Sequence, residues 1–376
     1  MGQEVVLAQY ASTNYSTGFR NRIINGDMRI DQRNNGATNT ATNVTYNYNL
    51  DRYNLNLSSS GAAGKMTYNQ STDVPTGYGF TKSISVQTIT AWTGSNNYDG
   101  FTQSIEGSNI ADLMWGTAYA QPATLSFWVK MGASGTYWLS ISNLNDLSYV
   151  ASYTVNSPGT WEFKTITVPG PTTGTWLNTT GIGAWLAYDL GSNTNLGGTA
   201  NTWSAGFNRR ITGGQTTFNS VGAYMRLTGI QFEAGTYATP FEFRQYTTEL
   251  QLCQRYFYRQ YGIAWTLGII NQSSGSWTLT SVVHPTTMRI APTFGHNLTD
   301  AKRISGSPSA DQWSVYNQNV GWGSISFSPA STFEGIFNGG ASTTQGHAGG
   351  YYTTFSAGAT HIRLGSNVYV EWSAEY

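Results

Sequence analysis

The chain has 376 residues, zero formal net charge, 10% charged residues and 14% aromatics, among them 13 Trp and 24 Tyr. So many large apolar side chains exclude a disordered chain. The scattered basic residues exclude the cationic stripe that duplex nucleic acid needs, and the single cysteine, Cys253, excludes an intrachain disulfide framework.

Residues 1–18 open with Met1-Gly2-Gln3-Glu4-Val5-Val6-Leu7-Ala8, which has neither the basic lead nor the long apolar run of a signal peptide. The segment holds too little apolar content to fold alone and reads either as a docking arm or as a frayed terminus. From Phe19 onward the pattern is alternation. Ile23-Ile24-Asn25-Gly26 carries a turn signal. Spacings of two in Tyr46/Tyr48/Leu50, Tyr53/Leu55/Leu57 and Ile84/Val86, the last followed by Ile89, predict strands with one buried face. Leu125–Met131 predicts a central strand, followed by Tyr137–Ile141, Trp161–Val168, Ile182–Tyr188 and Tyr224–Ala234. Turn clusters such as Ser157-Pro158-Gly159 and Pro169-Gly170-Pro171 lie between them. Many short strands with regular turns indicate a sandwich or jelly roll.

Thr247 to Gln260 lacks Gly and Pro and sets Leu250, Cys253 and Phe257 on one face, with Thr247 or Thr248 as N-cap. That spacing predicts a short helix. After Gly262 alternation returns in Trp265–Leu267, Trp277–Leu279, Ser281–Val283, Gly323–Phe327, His361–Leu364 and Asn367–Trp372. The fold class read from these patterns is all-β: an N-terminal jelly-roll sandwich over 19–244, a linker helix within 245–261 and a C-terminal β-sandwich-like domain over 262–376. No run approaches the ~18 apolar residues of a membrane span, and no fixed-period repeat points to a solenoid.

Residues that could carry chemistry are few. Asp99, Glu106 and Asp112 are the candidate carboxylates for glycoside hydrolysis, at a spacing that specifies nothing. His284, His296, His347 and His361 show no zinc spacing, and no Asx-rich calcium loop occurs. A structural Ca2+ is compatible with a jelly roll but cannot be placed, and no other cofactor is expected. Cys253 reads as a buried apolar side chain. Gly339-Gly340 and Gly349-Gly350 read as loop tips. Trp92, Trp115, Trp176, Trp203, Tyr351 and Tyr352 sit in polar, Gly- and Thr-rich surroundings, with His347 nearby. These are the candidate glycan contacts. The alternative for each is a plug at a sandwich end or a subunit contact.

Two long motifs carry a resemblance. The first is Asn21-Arg22-Ile23-Ile24-Asn25-Gly26-Asp27-Met28-Arg29-Ile30-Asp31-Gln32-Arg33, followed by Leu50-Asp51-Arg52-Tyr53. The second is Phe232-Glu233-Ala234-Gly235-Thr236-Tyr237-Ala238-Thr239-Pro240-Phe241-Glu242-Phe243-Arg244, followed by Glu249-Leu250-Gln251-Leu252-Cys253-Gln254-Arg255-Tyr256-Phe257. A weaker third is Met288-Arg289-Ile290-Ala291-Pro292-Thr293. In this order they resemble segments of the tail-fibre and capsid-fibre proteins of tailed bacteriophages.

The resemblance implies a carbohydrate-binding-module-like jelly roll, a short helix, a C-terminal β domain and a place on the virion, with no catalytic residues to transfer. The expected protein is made in the host cytoplasm and carried on the particle. It is a tail fibre that contributes to host-surface glycan attachment, or alternatively a head fibre that decorates the capsid. Remoter alternatives are a polysaccharide depolymerase and a cellular carbohydrate-binding module. The expected partners are other virion proteins through residues 1–18, a host glycan through the Gly339–Phe355 region, and copies of the chain in a homotrimer. Nucleic acid and membrane insertion are not expected. Within the motifs, Asp27, Arg29, Asp51 and Arg52 are expected to form ion pairs, as are Glu242, Arg244, Glu249 and Arg255.

Overall fold

The computed structural model of the chain describes residues 19–41, 47–57, 64–91, 99–144, 146–192, 194–211, 218, 220–261, 264–266, 276–278, 282–296, 313–317, 321–324, 345–346, 349–351, 359–364 and 369–375. Side chains are not described for 261–283 and 293–370. The backbone packs as two compact units. One comprises Met1–Arg29, Thr38–Asn47 and Tyr53–Phe243, and the other Ile30–Ala37, Tyr48–Arg52 and Arg244–Tyr376. Residues 30–37 and 48–52, which the sequence assigns to the first domain, thus belong to the second unit. The arm 1–18 lies outside the described residues.

In chain order the strands up to Phe243 are β1 (Asn39–Thr40), β2 (Asn47–Leu50), β3 (Tyr53–Leu57), β4 (Met66–Ser71), β5 (Ser83–Thr88), β6 (Asp99–Glu106), β7 (Ala123–Met131), β8 (Gly135–Ser142), β9 (Leu147–Val155), β10 (Glu162–Val168), β11 (Ile182–Asp189), β12 (Gly197–Gly198), β13 (Trp203–Ala205), β14 (Arg210–Ile211) and β15 (Tyr224–Ala234). The first unit is a jelly-roll sandwich. Its six-stranded sheet runs β1–β4–β5–β15–β7–β10, and the opposite sheet contains β13–β9–β8–β11–β6–β3.

β7 shows how alternation builds this sandwich. Leu125, Phe127, Val129 and Met131 are buried, while Ser126, Trp128 and Lys130 belong to the other face of the strand. Phe127 closes the core edge-on against Tyr153 and Tyr188 of the opposite sheet, with ring centroids 5.2 and 5.1 Å away.

The first half of the Asn-Gly motif forms no strand. It is a strap between the two sheets. Arg22 N–H donates to Phe232 O at 2.9 Å, and Ile230 N–H to Gly26 O at 2.9 Å, which fixes the strap to β15. The Gln103 side chain of β6 donates to Ile24 O and accepts from Ile24 N–H, which fixes it to the opposite sheet. Asn25 turns the strap at φ 59°. Gly26 then passes so close to β15 that a Cβ there would stand 2.2 Å from Ile230 O.

The second unit opens with helix α1 (Tyr246–Gln254) and β16 (Phe257–Tyr261). The helix is shorter than the sequence predicts. Phe257 leaves it and pairs in register with Ser373, so a contact more than a hundred residues away overrides local helical spacing. The capping differs too. Gln245 holds the N-cap position without a side-chain bond, and Thr247 and Thr248 lie inside the helix. Described strands beyond it include β17 (Ala264–Thr266), β18 (Ser276–Thr278), β19 (Val282–Val283), β20 (Thr293–His296), β21 (Trp313–Asn317), β22 (Gly321–Ser324), β23 (Gln345–Gly346), β24 (Gly349–Tyr351), β25 (Ala359–Leu364) and β26 (Tyr369–Ser373). They form antiparallel sheets ordered β16–β26–β20 and β17–β25–β21–β22, with the pairs β18–β24 and β19–β23.

The motif residues build the described core of this unit. Arg52 pairs with Glu375 and lies 3.5 Å over the Tyr256 ring. Arg33 lies 3.7 Å over Phe257 and 3.4 Å from Glu375. Asp51 accepts from Gln32 N–H and from its side-chain amide. Arg289 donates to Ala374 O. The predicted ion pairs form as Asp27–Arg29 and Arg244–Glu249. Asp51 pairs with Arg33 at 3.8 Å, and Arg52 with Glu375. Glu242 pairs with Arg20 at 4.0 Å and accepts from the backbone N–H groups of Arg20 and Asn21, and Arg255 donates to Thr287 O. Cys253 is fully buried, and burial pushes its thiol well above its ordinary value.

Candidate functional site

The candidate aromatics named from sequence divide sharply. Trp92, His347 and Tyr352 lie outside the described residues, and Tyr351 is described only as backbone at the end of β24. Trp115 and Trp203 are brought together with Trp176. Their ring centroids are 4.7 Å (115–176), 5.7 Å (115–203) and 5.5 Å (176–203) apart, and all three contacts are edge-to-face. Each indole N–H donates to a backbone carbonyl: Trp115 to Gln121, Trp176 to Thr173 and Trp203 to Pro169. Trp115 is only 6% exposed and touches Phe232 of the core. Trp115 thus packs into the sandwich, and Trp176 and Trp203 are locked edge-on against it while half-buried.

An open aromatic surface lies on the outer face of the six-stranded sheet. There Trp128 of β7 stands directly opposite Phe163 of β10, with ring centroids 5.4 Å apart. Tyr78 covers the other side of Trp128 at 4.3 Å. Tyr78 is 56% exposed and Phe163 47%, with Trp128 half-buried between them. Gly77 and Gly79 flank Tyr78 with φ of 86° and 80°, left-handed values that hold the phenol out of the loop. Successive rings tilt by 49°, so the row is stepped rather than flat. Phe80, Phe241 and Phe243 pack against one another, with Phe80 buried and Phe243 exposed.

Beside the row stands a polar hub. Lys130 follows Trp128 on the same face, about 7 Å along the strand, and Arg226 of β15 is directly opposite Lys130. Like charges at directly opposed positions repel, and Asp73 bridges them. Its carboxylate accepts from Lys130 Nζ at 2.8 Å and Trp161 Nε1 at 2.9 Å, and it pairs with Arg226. Burial alone would raise the Asp73 carboxyl. The bonds from Lys130 and Trp161, with the Arg226 and Lys130 charges, outweigh burial and hold it below its ordinary value. It is therefore ionised at neutral pH. Thr228 and Ser85 complete the face around the hub.

The sequence reading missed Tyr78, Trp128 and Phe163. The signal was present in β7, because a core face of Leu125, Phe127 and Val129 forces Trp128 outward between Ser126 and Lys130.

Asp99 and Glu106 do not form a hydrolytic pair. Asp99 and Glu106 end the same eight-residue strand, about 23 Å apart at ~3.3 Å per residue, against the ~5–9.5 Å of a glycosidase. Glu106 accepts from Ser108, and Asp112 pairs with Arg22. Among the described residues no three His, Cys, Asp or Glu side chains gather as a metal site, and no helix is long and apolar enough to cross a membrane.

No protein-family model and no curated protein matches the sequence. Solved structures do. The enzymatically active domain of tailspike protein 4 from bacteriophage CBA120 matches over 57% of this chain and 21% of its own, at 15% identity and a TM-score of 0.31. The CBM22-1–GH10 modules of a Clostridium thermocellum endo-1,4-beta-D-xylanase, complexed with xylohexaose, match over 53% and 30% at 15% identity and a TM-score of 0.28. The chain thus spans less than a third of either of these. A putative sugar binding protein from Bacteroides thetaiotaomicron matches over 57% of this chain and all of its own, at 9% identity and a TM-score of 0.32.

Proposed function

We propose that this chain is a non-catalytic surface protein of a bacteriophage particle, a tail fibre whose jelly-roll unit holds host-surface glycan on the outer face of the six-stranded sheet. The resemblance of the two long motifs supplies the virus. The observation that carries the binding role is the exposed row Tyr78–Trp128–Phe163 beside the Asp73–Lys130–Arg226 hub. A sugar ring has an apolar C–H face and a hydroxyl rim. The row supplies apolar surface to stack on, and the hub supplies donors and acceptors for the rim. A stepped row suits a polysaccharide whose successive rings rotate along the chain.

The test is retention of the full-length protein on immobilised polysaccharides from bacterial envelopes. Wild-type protein is retained on at least one, and Trp128→Ala passes through. Equal retention of both, or retention of neither, would overturn the binding role. Labelling of particles with an antibody to the protein tests the location: label on the tail supports the proposal, and label confined to the capsid shell favours the head-fibre alternative.

A further inference from the structure

The hub is unbalanced in a way that bears on what the face binds. Two cations, Lys130 and Arg226, meet one carboxylate, Asp73. A single carboxylate cannot use all the donors of an ammonium and a guanidinium. Lys130 commits one of three N–H groups to Asp73, and Arg226 adds only a long 3.4 Å bond from Nε to Ser85. Arg226 is held besides by Tyr224, whose ring centroid lies 5.0 Å from its Cζ. The nearby acids do not redress the balance. Glu233 is buried and occupied by Gln231 and Thr239. Glu162 is occupied by Lys164 and by the backbone N–H groups of Asn156 and Ser157. The side chains of Lys130, Arg226 and Asp73 remain 18%, 28% and 32% exposed, so the surplus positive charge faces solvent two residues along the strand from Trp128.

We infer that the face selects a glycan bearing an anionic substituent, a sugar carboxylate or phosphate, which Lys130 and Arg226 hold while Trp128 stacks on the ring. This rests on the glycan-binding reading of the same face and specifies its ligand class. Asp73 positions the two cations, and the anion takes their remaining donors. Charge-assisted bonds of this kind are shorter and stronger than neutral ones, and the guanidinium suits both anions.

The experiment uses full-length protein and pairs of probes that differ only in charge. The first set is uronic-acid-containing bacterial capsular polysaccharides, native and carboxyl-reduced. The second is phosphate-bearing polysaccharides before and after dephosphorylation. Wild-type protein binds an anionic form about tenfold or more tightly than its neutral partner, and raised salt removes the preference. Lys130→Gln and Arg226→Gln each weaken binding of the anionic form more than binding of the neutral form and so reduce the preference, and Lys130→Arg restores it. Unchanged thermal midpoints show that these variants fold. A preference confined to the phosphate set supports the inference with phosphate as the anion. If neutral and anionic forms bind equally while Trp128→Ala abolishes binding, the inference fails and the glycan reading stands. If Trp128→Ala binds like wild type, or wild type binds no probe of either charge, both fail.

Discussion

Trp128 and Phe163 stand directly opposite each other on adjacent strands, on the face of the sheet that turns away from the core. Their rings touch each other, Trp128 also touches Tyr78, and much of that apolar surface stays in water. A fold gains little from such a pair, roughly 0.2–1 kcal/mol for a cross-strand aromatic contact. The row therefore contributes little to stability and stays available to a ligand.

Phe163→Ala is accordingly expected to lower stability by no more than about 1 kcal/mol and to weaken glycan retention. Urea unfolding and affinity electrophoresis of the same preparation check both halves. A loss of stability well above this would mean that the ring is a core element.

Trp115→Ala should behave in the opposite way. The side chain is 6% exposed, packs on Phe232 and bonds to Gln121 O. Removing a buried aromatic leaves a cavity worth about 3–5 kcal/mol. Glycan affinity per folded molecule should not change. Denaturant midpoints and binding measured on the folded fraction test this.

Gly26→Ala should destabilise the jelly-roll unit although the position is far from any aromatic of the row in sequence. The new methyl would meet Ile230 O at 2.2 Å, so the strap must leave β15 and its bonds at Arg22 and Ile230 are weakened. Faster amide exchange at Arg22 and Ile230 is the expected signature. Unchanged exchange would show that the strap can shift without cost.

Much of the architecture was legible because it rests on local periodicity. Leu125–Met131 and Tyr53–Leu57 alternate and fold as strands, although in Tyr53–Leu57 both faces are covered, so that Asn54 and Asn56 are buried with Tyr53, Leu55 and Leu57. Phe257 was not legible, since its partner Ser373 lies at the far end of the chain. The strands at Met66–Ser71 and Asp99–Glu106 were missed for a related reason. Their polar residues, Asn69 and Gln103 among them, hide the alternation, and sheet pairing rather than composition makes them strands. The aromatic row required knowing that Tyr78, distant from Phe163 in sequence, meets the same Trp128. Trp115 and Trp203 look exposed in a polar sequence context, but each turns its indole N–H to a carbonyl and its ring to another tryptophan.

Stability should also depend on pH through Asp51. Burial pushes its carboxyl up to about 6, more than the Arg33 charge and the Gln32 bonds lower it. The ordinary value is 3.8, so the folded chain holds this proton more tightly than the unfolded chain does. The contribution is fully present below the ordinary value and is lost as pH rises through about 6. Urea midpoints taken across this window should fall with rising pH more steeply in wild type than in Asp51→Asn, which cannot ionise. Identical slopes would show that Asp51 is not the group responsible.

In the proposed binding mode the open row on the outer sheet face, not the interlocked tryptophan cluster, holds the glycan. Calorimetric titration of one retained polysaccharide into wild type, Trp128→Ala and Trp203→Ala distinguishes the two surfaces. Trp128→Ala should weaken binding by about tenfold or more, a change of ~1.4 kcal/mol, and Trp203→Ala should bind like wild type once the folded fraction is matched. Full affinity in Trp128→Ala together with lost affinity in Trp203→Ala would show that the tryptophan cluster is the binding surface.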